Sequence, residues 1–277
     1  SIVIPVYNEA DQLAACLEAI AAQTVQPLEV IIVDNNSSDD TVAVARLFPF
    51  VRILHEPRQG VVYARNCGFD AARGDIIGRI DADSRLSPDW VANVVTLFQG
   101  GALSCASGVV RYHDMSFQRL FNKVDLTLRS WLASQLENEV AMQGANMALT
   151  RAAWQQVRCD VCAVSGMHED FDLGIHIAKA GGRLAFADTM IATVGFRQAS
   201  DTFHAFCRYV MLSPQTYRQH GLRSQKYFYP VVYLALASFF FLKFAHQSYD
   251  ADLESFSWRK LFDNSIKPRV NPATFVE

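Results

Sequence analysis

Two aspartates one residue apart, Asp81 and Asp83, are the side chains in this sequence best suited to metal chemistry. They follow the apolar residues 76–80, which predict a buried strand, so both carboxylates are expected on the turn where that strand ends. Carboxylate oxygens are the ligands that Mg²⁺ and Mn²⁺ prefer, and both ions can bridge to phosphates. A lone Asp-x-Asp pair is also common in solvated turns. The residues expected beside this pair therefore decide the interpretation.

Polar side chains are also expected near the ends of other predicted elements. Pro5-Val6-Tyr7-Asn8-Glu9 follows the first strand and offers an aromatic ring, an amide and a carboxylate. Asp34 ends the second strand, where it could accept hydrogen bonds from a base or ribose. Arg65 lies near the start of a helix and could meet a diphosphate or a base edge, although a surface ion pair is the alternative. Because ligands bind outside the carboxyl ends of parallel strands, these groups together favour a site for a nucleoside diphosphate and a metal.

Apolar segments that alternate with amphipathic helical segments must position these groups. Such alternation is typical of βαβ units, so we predict an α/β fold, a Rossmann-like three-layer sandwich with a mostly parallel central sheet. The predicted strands are residues 2–6, 28–33, 51–54, 76–80 and 102–110. The predicted helices are residues 41–47, 63–72, 90–98 and 117–136, preceded by a first helix with Leu13, Cys16, Leu17 and Ile20 on its apolar face.

In combination, the motifs resemble those of the family 2 glycosyltransferases with the GT-A fold. The resemblance covers roughly residues 1–200 and rests on the order and spacing of Pro5-Val6-Tyr7-Asn8-Glu9, Asp34-Asn35-Asn36-Ser37-Ser38-Asp39, Ala64-Arg65-Asn66-Cys67-Gly68 and Asp81-Ala82-Asp83.

The resemblance implies a role for each of these residues in binding a nucleotide-sugar donor. Tyr7, in the segment that begins with Pro5, would lie against the nucleobase, with Glu9 near the ribose. Asp34 would bind the base, commonly uracil, and Arg65 would help to hold base or phosphate. Asp81 would contact the ribose, and Asp83 would bind a Mn²⁺ or Mg²⁺ ion that bridges the diphosphate.

Two segments in the second half of the chain extend this resemblance. Gln143-Gly144-Ala145-Asn146 resembles the floor beneath the donor sugar, where Gly144 and Ala145 would allow close backbone approach; a tight turn before a strand is the alternative. In His168-Glu169-Asp170-Phe171, the resemblance makes Asp170 the general base, with Glu169 in reserve. Carboxylates are also favourable at a helix N-terminus for structural reasons alone. A single displacement with inversion at the anomeric carbon is the implied reaction.

The C-terminal part of the chain differs in composition from the rest. We predict a glycosyltransferase domain over residues 1–220, with nucleotide-sugar binding in 1–112 and acceptor binding and catalysis in 113–220, followed by a helical membrane-associating segment over 221–277. Residues 227–242 carry no charge. This run is marginal for a spanning helix, so it either crosses a membrane or lies on its surface or against the domain. Residues 253–262 suggest a second surface helix, and residues 267–277 a poorly ordered tail.

Composition limits the remaining possibilities. The net charge of −3, without a long basic run, gives no electrostatic case for nucleic acid. The six scattered cysteines indicate a reducing compartment, and the Cys159-x-x-Cys162 spacing is interpreted as incidental. The expected location is cytoplasmic, at the inner face of the plasma membrane, in keeping with the reducing compartment and the apolar C-terminal segment. The Gln-x-x-Arg-Trp signature of processive relatives is absent, which favours single additions.

These features together predict a metal-dependent inverting transferase. Its donor would be a nucleotide-sugar, with a UDP-sugar favoured, and its acceptor a hydroxyl on a lipid-linked sugar, a lipid or a glycan. A nucleotidyltransferase that makes nucleoside-diphosphate sugars is one alternative, but Tyr7-Asn8-Glu9 stands where it would need a glycine-rich basic loop. A non-catalytic scaffold of the same fold is the other alternative, and it would be expected to lack the metal-binding or base carboxylate.

Overall fold

Strands and helices alternate through the first third of the chain. The computed structural model describes residues 1–136, 141–164, 166–250 and 253–260. The first elements are β1 (Ile2–Val6), α1 (Ala10–Ala21), β2 (Val30–Asp34), α2 (Thr41–Arg46), β3 (Val51–His55), α3 (Val61–Ala71) and β4 (Ile76–Arg79). The predicted βαβ order is confirmed.

The remaining elements complete the sheet and add a helical region. They are β5 (Arg85–Leu86), α4 (Trp90–Phe98), β6 (Cys105–Tyr112), α5 (Gln118–Leu136), β7 (Met147–Thr150), α6 (Arg151–Val157), α7 (Glu169–Lys179), β8 (Leu184–Val194), α8 (Phe203–Gln219), α9 (Phe228–Gln247), β9 (Tyr249–Asp250) and β10 (Ser255–Phe256). Single 3₁₀ turns occur at Gly144–Asn146, Arg197–Ser200 and Arg223–Tyr227.

Eight strands form one mostly parallel sheet in the order β3-β2-β1-β4-β7-β6-β8-β5. Strands β1 to β4 pair in parallel, and β7 runs antiparallel to both β4 and β6. In this register Val6 lies beside Asp34, and Asp34 beside His55. The first strands therefore end at the same level, which brings the loops that follow them to one edge of the sheet.

Side chains on alternate residues of the central strands fill two separate cores. Ile2, Ile4 and Val6 of β1 pack on the face covered by α1, α2 and α4. Val3 packs on the opposite face, covered by α3, α6 and α7. Because successive side chains of a strand point to opposite faces, a strand covered on both sides is apolar throughout. The predicted three-layer sandwich is confirmed.

The apolar helix α9 packs along the domain. Phe239 contacts Phe206 of α8, with ring centroids 4.8 Å apart, and Phe228 contacts Tyr217 at 4.6 Å. The opposite side of α9 is exposed, including Tyr233 at 66% and Phe240 at 70%. Among the described residues, Arg223–Gln247 is the one helix long and apolar enough to cross a membrane.

The prediction of a second surface helix is wrong where the structure describes that region. Ser255–Phe256 pairs with Tyr249–Asp250 in a short antiparallel hairpin. The spacing of Leu253 and Phe256 fits a hairpin as well as a helix, because short apolar runs do not distinguish the two. The predicted tail, residues 267–277, lies outside the described residues.

Candidate active site

A cavity of about 710 Å³ opens at the carboxyl ends of β1 and β4. Most of the side chains predicted to bind the donor or to catalyse transfer line it: Pro5, Tyr7, Glu9, Asp81, Asp83, Gly144, Ala145, Glu169 and Asp170. They come from loops far apart in the sequence and meet because the sheet aligns the ends of its strands. The structure does not place Asp34 or Arg65 on the cavity wall.

The Asp81–Asp83 turn is held rigidly at the edge of the sheet. The Ser84 backbone N–H donates to the Asp81 carbonyl at 3.0 Å, which closes the turn. Asp83 is buried, whereas 42% of the Asp81 side chain is exposed. The two carboxylates thus differ in environment, with Asp83 fixed against the protein and Asp81 more open to solvent.

Arg197 faces the acidic groups of the cavity, a contact that the sequence reasoning missed. Its guanidinium donates to the two Glu9 carboxylate oxygens at 2.6 and 2.9 Å and also pairs with Asp83. Burial alone would lower the pKa of Arg197, but the Asp83 and Glu9 carboxylates raise it above its ordinary value. Arg197 follows the end of β8, so attention to one more strand end could have found it.

The acidic groups around Arg197 have the chemistry of a site for a hard cation. Glu9, Asp81 and Asp83 line one cavity and offer oxygen ligands only, as Mg²⁺ and Mn²⁺ prefer. The Arg197 guanidinium supplies positive charge to two of these carboxylates in this structure. These residues therefore fit a divalent ion.

A second buried cation, Arg79 at the end of β4, was also missed. One of its terminal nitrogens lies 3.1 Å from Asp81 and 3.0 Å from Glu169. Burial alone would lower the pKa of Arg79, whereas the Asp81 and Glu169 carboxylates raise it. The sequence offered one signal for this contact, which is the single charged residue within the apolar run of residues 76–80. An arginine is seldom buried without a partner, so a buried acidic partner could have been expected.

The structure shows why residue 144 is a glycine, and the reason differs from the predicted close approach to a ligand. A Cβ atom built on Gly144 would lie 0.9 Å from a guanidinium nitrogen of Arg79. The glycine is therefore required by the arginine packed against it, before any approach to a ligand is considered. Its backbone N–H donates to the Asp170 carboxylate at 2.8 Å.

Arg65 lies behind the cavity wall rather than in the predicted contact with base or phosphate. Its side chain is fully buried and donates to the Glu169 backbone carbonyl at 2.6 Å, to the Glu169 carboxylate and to the Asn66 side chain. Glu169 is consequently held by two buried cations, Arg65 and Arg79. This arrangement fixes the first turn of α7, on which Asp170 also lies.

Asp34 is buried beside the cavity rather than on its wall. Its carboxylate accepts from the Ser37 backbone N–H at 3.2 Å and lies 3.3 Å from the His55 ring. The next residue, Asn35, reaches the cavity. Asn35 is itself fixed, since its amide donates to the Glu56 carbonyl at 2.9 Å and accepts from the Gly60 N–H at 2.7 Å.

The polar loop after β2 caps a neighbouring helix. Asp39 accepts from the Ala10 backbone N–H at 3.1 Å, and the Thr41 hydroxyl accepts from the Glu9 N–H at 2.7 Å. These bonds satisfy N–H groups that the first turn of α1 leaves without a helical partner. They also fix the backbone of Glu9 at the cavity.

The Asp170 carboxylate is held at the cavity by two backbone hydrogen bonds. Gly144 and Phe171 donate backbone N–H groups to its two oxygens, at 2.8 and 2.9 Å. Burial, and next the charge of Glu169, raise the pKa of Asp170 above its ordinary value. A carboxylate that is held in place and made more basic can accept a proton from a hydroxyl in the cavity.

The part of the cavity between α5 and α9 is lined mostly by apolar side chains, with the Asp125–Arg129 ion pair of α5 among them. Helices α5 and α9 face each other across it, and Phe121 contacts Phe241 with ring centroids 5.7 Å apart. Apolar side chains from these helices line the cavity: Leu120, Phe121, Val124, Leu128, Leu132, Val231, Val232, Leu234, Phe241 and Leu242. The cavity therefore combines an acidic wall with a mostly apolar wall that carries one ion pair.

The histidines on and near α7 and α8 differ in their position relative to the cavity. His168 lines the cavity and packs against Phe171 and Tyr209, with ring centroids 4.9 and 5.0 Å apart. His204 is exposed, and His220 lies beside Asp172 outside the cavity. Arg208, Arg218 and Arg223 do not line the cavity.

Comparison with known proteins gives matches in sequence and in fold. The sequence profile of the family described as Glycosyl transferase family 2 matches residues 1–154. The uncharacterized glycosyltransferase YibD of Escherichia coli strain K12 is 35% identical over 101 residues, which are 35% of this chain and 29% of that protein. The chain thus spans less than a third of that relative's length.

Two solved structures share the fold. A mannosyltransferase from Pyrobaculum calidifontis, in complex with GDP-Man and Mn²⁺, is 21% identical with a TM-score of 0.65, over 94% of this chain and 76% of that one. Glucosyl-3-phosphoglycerate synthase from Mycobacterium tuberculosis, in complex with Mn²⁺, UDP-Glc and phosphoglyceric acid, is 18% identical with a TM-score of 0.55, over 80% and 79%. At these identities the likeness concerns the GT-A fold alone. The sequence match covers more than half of the chain, and the chain therefore belongs to glycosyl transferase family 2.

Proposed function

We propose that this protein transfers a sugar from a nucleotide-sugar donor to a hydroxyl acceptor, with inversion at the anomeric carbon. The observation that carries the proposal is that Asp83 and Asp170, far apart in the sequence, line one cavity. An acidic, metal-suited end and a basic carboxylate are the two requirements of such a reaction.

The donor is proposed to lie at the acidic end of the cavity. Tyr7 would contact the base and Glu9 the ribose, with Asn35 on the same wall. UDP-sugars remain our favoured donors, although the structural relatives include one complex with GDP-Man and one with UDP-Glc. Asp34 and Arg65 would support the site from behind, through Asn35 and Glu169.

A divalent ion, Mn²⁺ or Mg²⁺, is proposed at Asp83, with Asp81 and Glu9 beside it. When bound, such an ion neutralises charge that develops on the departing diphosphate. Arg197 would have to leave Asp83 for the ion to bind there. The freed guanidinium could then pair with a donor phosphate, for which its planar geometry is suited.

Asp170 is proposed to remove the proton from the attacking acceptor hydroxyl. Its two backbone hydrogen bonds hold the carboxylate in one orientation. Glu169, the reserve candidate, is held by Arg65 and Arg79. We therefore assign Glu169 a positioning role and keep the base at Asp170.

The acceptor is proposed to be lipid-linked. The mostly apolar wall formed by α5 and α9 would contact an acyl or polyprenyl chain of the acceptor, in the same cavity that Asp170 lines. Exposed apolar side chains of α9, such as Phe240, would lie in a membrane surface, since large exposed apolar patches commonly mark such contacts. The enzyme would then act at the cytoplasmic face of the plasma membrane on single acceptors, such as precursors of cell-envelope polysaccharide.

Calorimetric titration against a panel of nucleoside diphosphates and nucleotide-sugars, with and without Mn²⁺, tests the proposal. We expect one donor to bind only with the metal, and the Asp83→Asn variant to lose that dependence. Indifference to every nucleotide would refute the donor site. A nucleotidyltransferase would instead bind a nucleoside triphosphate with a sugar phosphate, and a scaffold would bind donor without any turnover.

A further inference from the structure

A cluster of four metal-ligating side chains lies on and beside helix α7, outside the active-site cavity. Its members are Cys162, Asp172, His176 and His220, and their ligand atoms all lie within 4.8 Å of one another. None of the four lines the cavity. They come from the loop after α6, from α7 and from the residue that follows α8, so the fold assembles them from three separate elements.

We infer that Cys162, Asp172, His176 and His220 bind a structural Zn²⁺ ion, distinct from the ion proposed at Asp83. One thiolate, two imidazoles and one carboxylate form a ligand set suited to zinc, whereas Mg²⁺ and Ca²⁺ take oxygen ligands. Four protein ligands fill a tetrahedral site and leave no open position, as structural zinc sites require.

Two of the distances between ligand atoms agree with a tetrahedral ion. Zinc bond lengths of about 2.0–2.3 Å place two nitrogen or oxygen ligands about 3.4 Å apart, and a nitrogen and a sulfur about 3.6 Å apart. His176 Nε2 lies 3.4 Å from Asp172 Oδ1 and 3.7 Å from Cys162 Sγ. His220 Nε2 lies 2.8 Å from Asp172 Oδ1, a hydrogen-bond distance that must lengthen slightly when an ion enters.

The local sequence also favours a shared ion. Asp172 and His176 are four residues apart on α7, which puts both side chains on one face of the helix. The second oxygen of Asp172 accepts the Cys162 backbone N–H at 2.8 Å. That bond orients the carboxylate and ties the loop that carries Cys162 to the helix, as the outer hydrogen bonds of metal ligands commonly do.

Without metal, the same groups form a hydrogen-bond network. Lys179 Nζ lies 3.2 Å from His220 Nδ1 and 3.3 Å from the His220 carbonyl. A lysine that donates to Nδ1 puts the ring proton on Nε2, which then donates to Asp172. Zinc binding releases the thiol proton of Cys162 and moves the ring proton of His220 to Nδ1, while Lys179 keeps the carbonyl. Such an ion would clamp α7, which carries Glu169 and Asp170, to the end of α8.

Cobalt substitution in the full chain tests the inference. The chelator-treated, reduced protein is titrated with Co²⁺, and we expect one equivalent with the intense visible bands of tetrahedral cobalt and a near-ultraviolet sulfur-to-cobalt band. Cys162→Ser should remove the sulfur band and weaken Zn²⁺ binding by at least about tenfold, the least that loss of a supporting partner costs. The matched control Cys159→Ser, three residues earlier and exposed, should behave like wild type.

Two further measurements keep the test decisive if Cys162→Ser does not fold. In the wild-type chain, bound Zn²⁺ should slow alkylation of Cys162 by at least about tenfold and leave Cys159 unaffected, as read by mass spectrometry. Zinc at a hundredfold excess over its dissociation constant should raise the Tm by about 5–10 °C. The Asp83→Asn variant should keep all of these signals. Absence of tetrahedral bands, equal protection of both cysteines, or loss of the bands in Asp83→Asn would overturn the site.

Discussion

Replacement of Asp170 by Asn tests the proposed base directly. The change removes the basic oxygen but keeps the shape of the side chain. Its one amide oxygen can still accept the Gly144 N–H, while the Phe171 N–H loses its acceptor. Loss of a general base costs about 10²–10⁴ in rate. At 1.36 kcal/mol for each factor of ten, the activation barrier should rise by about 2.7–5.4 kcal/mol.

The pH dependence of the transfer rate provides a second test of the same assignment. Burial and the neighbouring Glu169 raise the pKa of Asp170 in the folded protein. Transfer requires the ionised carboxylate, so the rate should fall as the pH drops through this raised pKa, above the usual aspartate value of about 3.9. The stability of the folded protein changes in the opposite direction. A carboxyl group whose pKa is raised by folding stabilises the protein at pH values below its unfolded-state pKa, and this contribution is lost as the pH rises. The variant should therefore gain stability relative to wild type as the pH rises.

The assay is single-turnover transfer beside calorimetric donor binding, with exposed Asp188→Asn as the matched control. Donor affinity should change by less than about threefold in Asp170→Asn, since uniform binding is retained. Transfer that continues at a tenth of the wild-type rate or faster, or an acid limb that the variant leaves in place, would refute the assignment of the base.

Three further perturbations probe the rest of the site and the proposed membrane face. In Glu169→Gln, Arg65 and Arg79 lose the negative charge that they share. We expect the free energy of unfolding to fall by about 3 kcal/mol and the Tm to fall by roughly 6–12 °C, as measured by calorimetry. An unchanged Tm would contradict the positioning role. Arg197→Ala removes the cation that competes for Asp83, so Mn²⁺ affinity without nucleotide should rise about tenfold in a titration; weaker Mn²⁺ binding would show that Arg197 supports the ion. Replacing both Tyr233 and Phe240 with Ser should reduce binding to anionic lipid vesicles by at least about tenfold, whereas the exposed Phe50→Ser control should not; equal loss in both would exclude α9 as the membrane face.

The sequence was sufficient for five of the eight strands of the main sheet, most of the helices and the edge where the site forms; β5, β7 and β8 were not predicted. Strands covered on both faces are apolar throughout, and polar groups stand out where such strands end, so Asp81, Asp83 and Tyr7 could be assigned to one edge without coordinates. The first turn of α7, with Asp170, was recognisable for the same reason. The hairpin at Ser255–Phe256 was not, because short apolar spacings fit helix and strand alike.

Which polar groups contact one another was decided only by the tertiary structure. Arg65 and Arg79 both pair with Glu169, and Arg197 joins Glu9 to Asp83, across separations of up to 188 residues. No local pattern predicts such pairings, because the partner of a buried charge is set by the packing of distant elements rather than by its neighbours in the chain. Sequence placed the carboxylates at the site, and packing determined which of them remain available for chemistry.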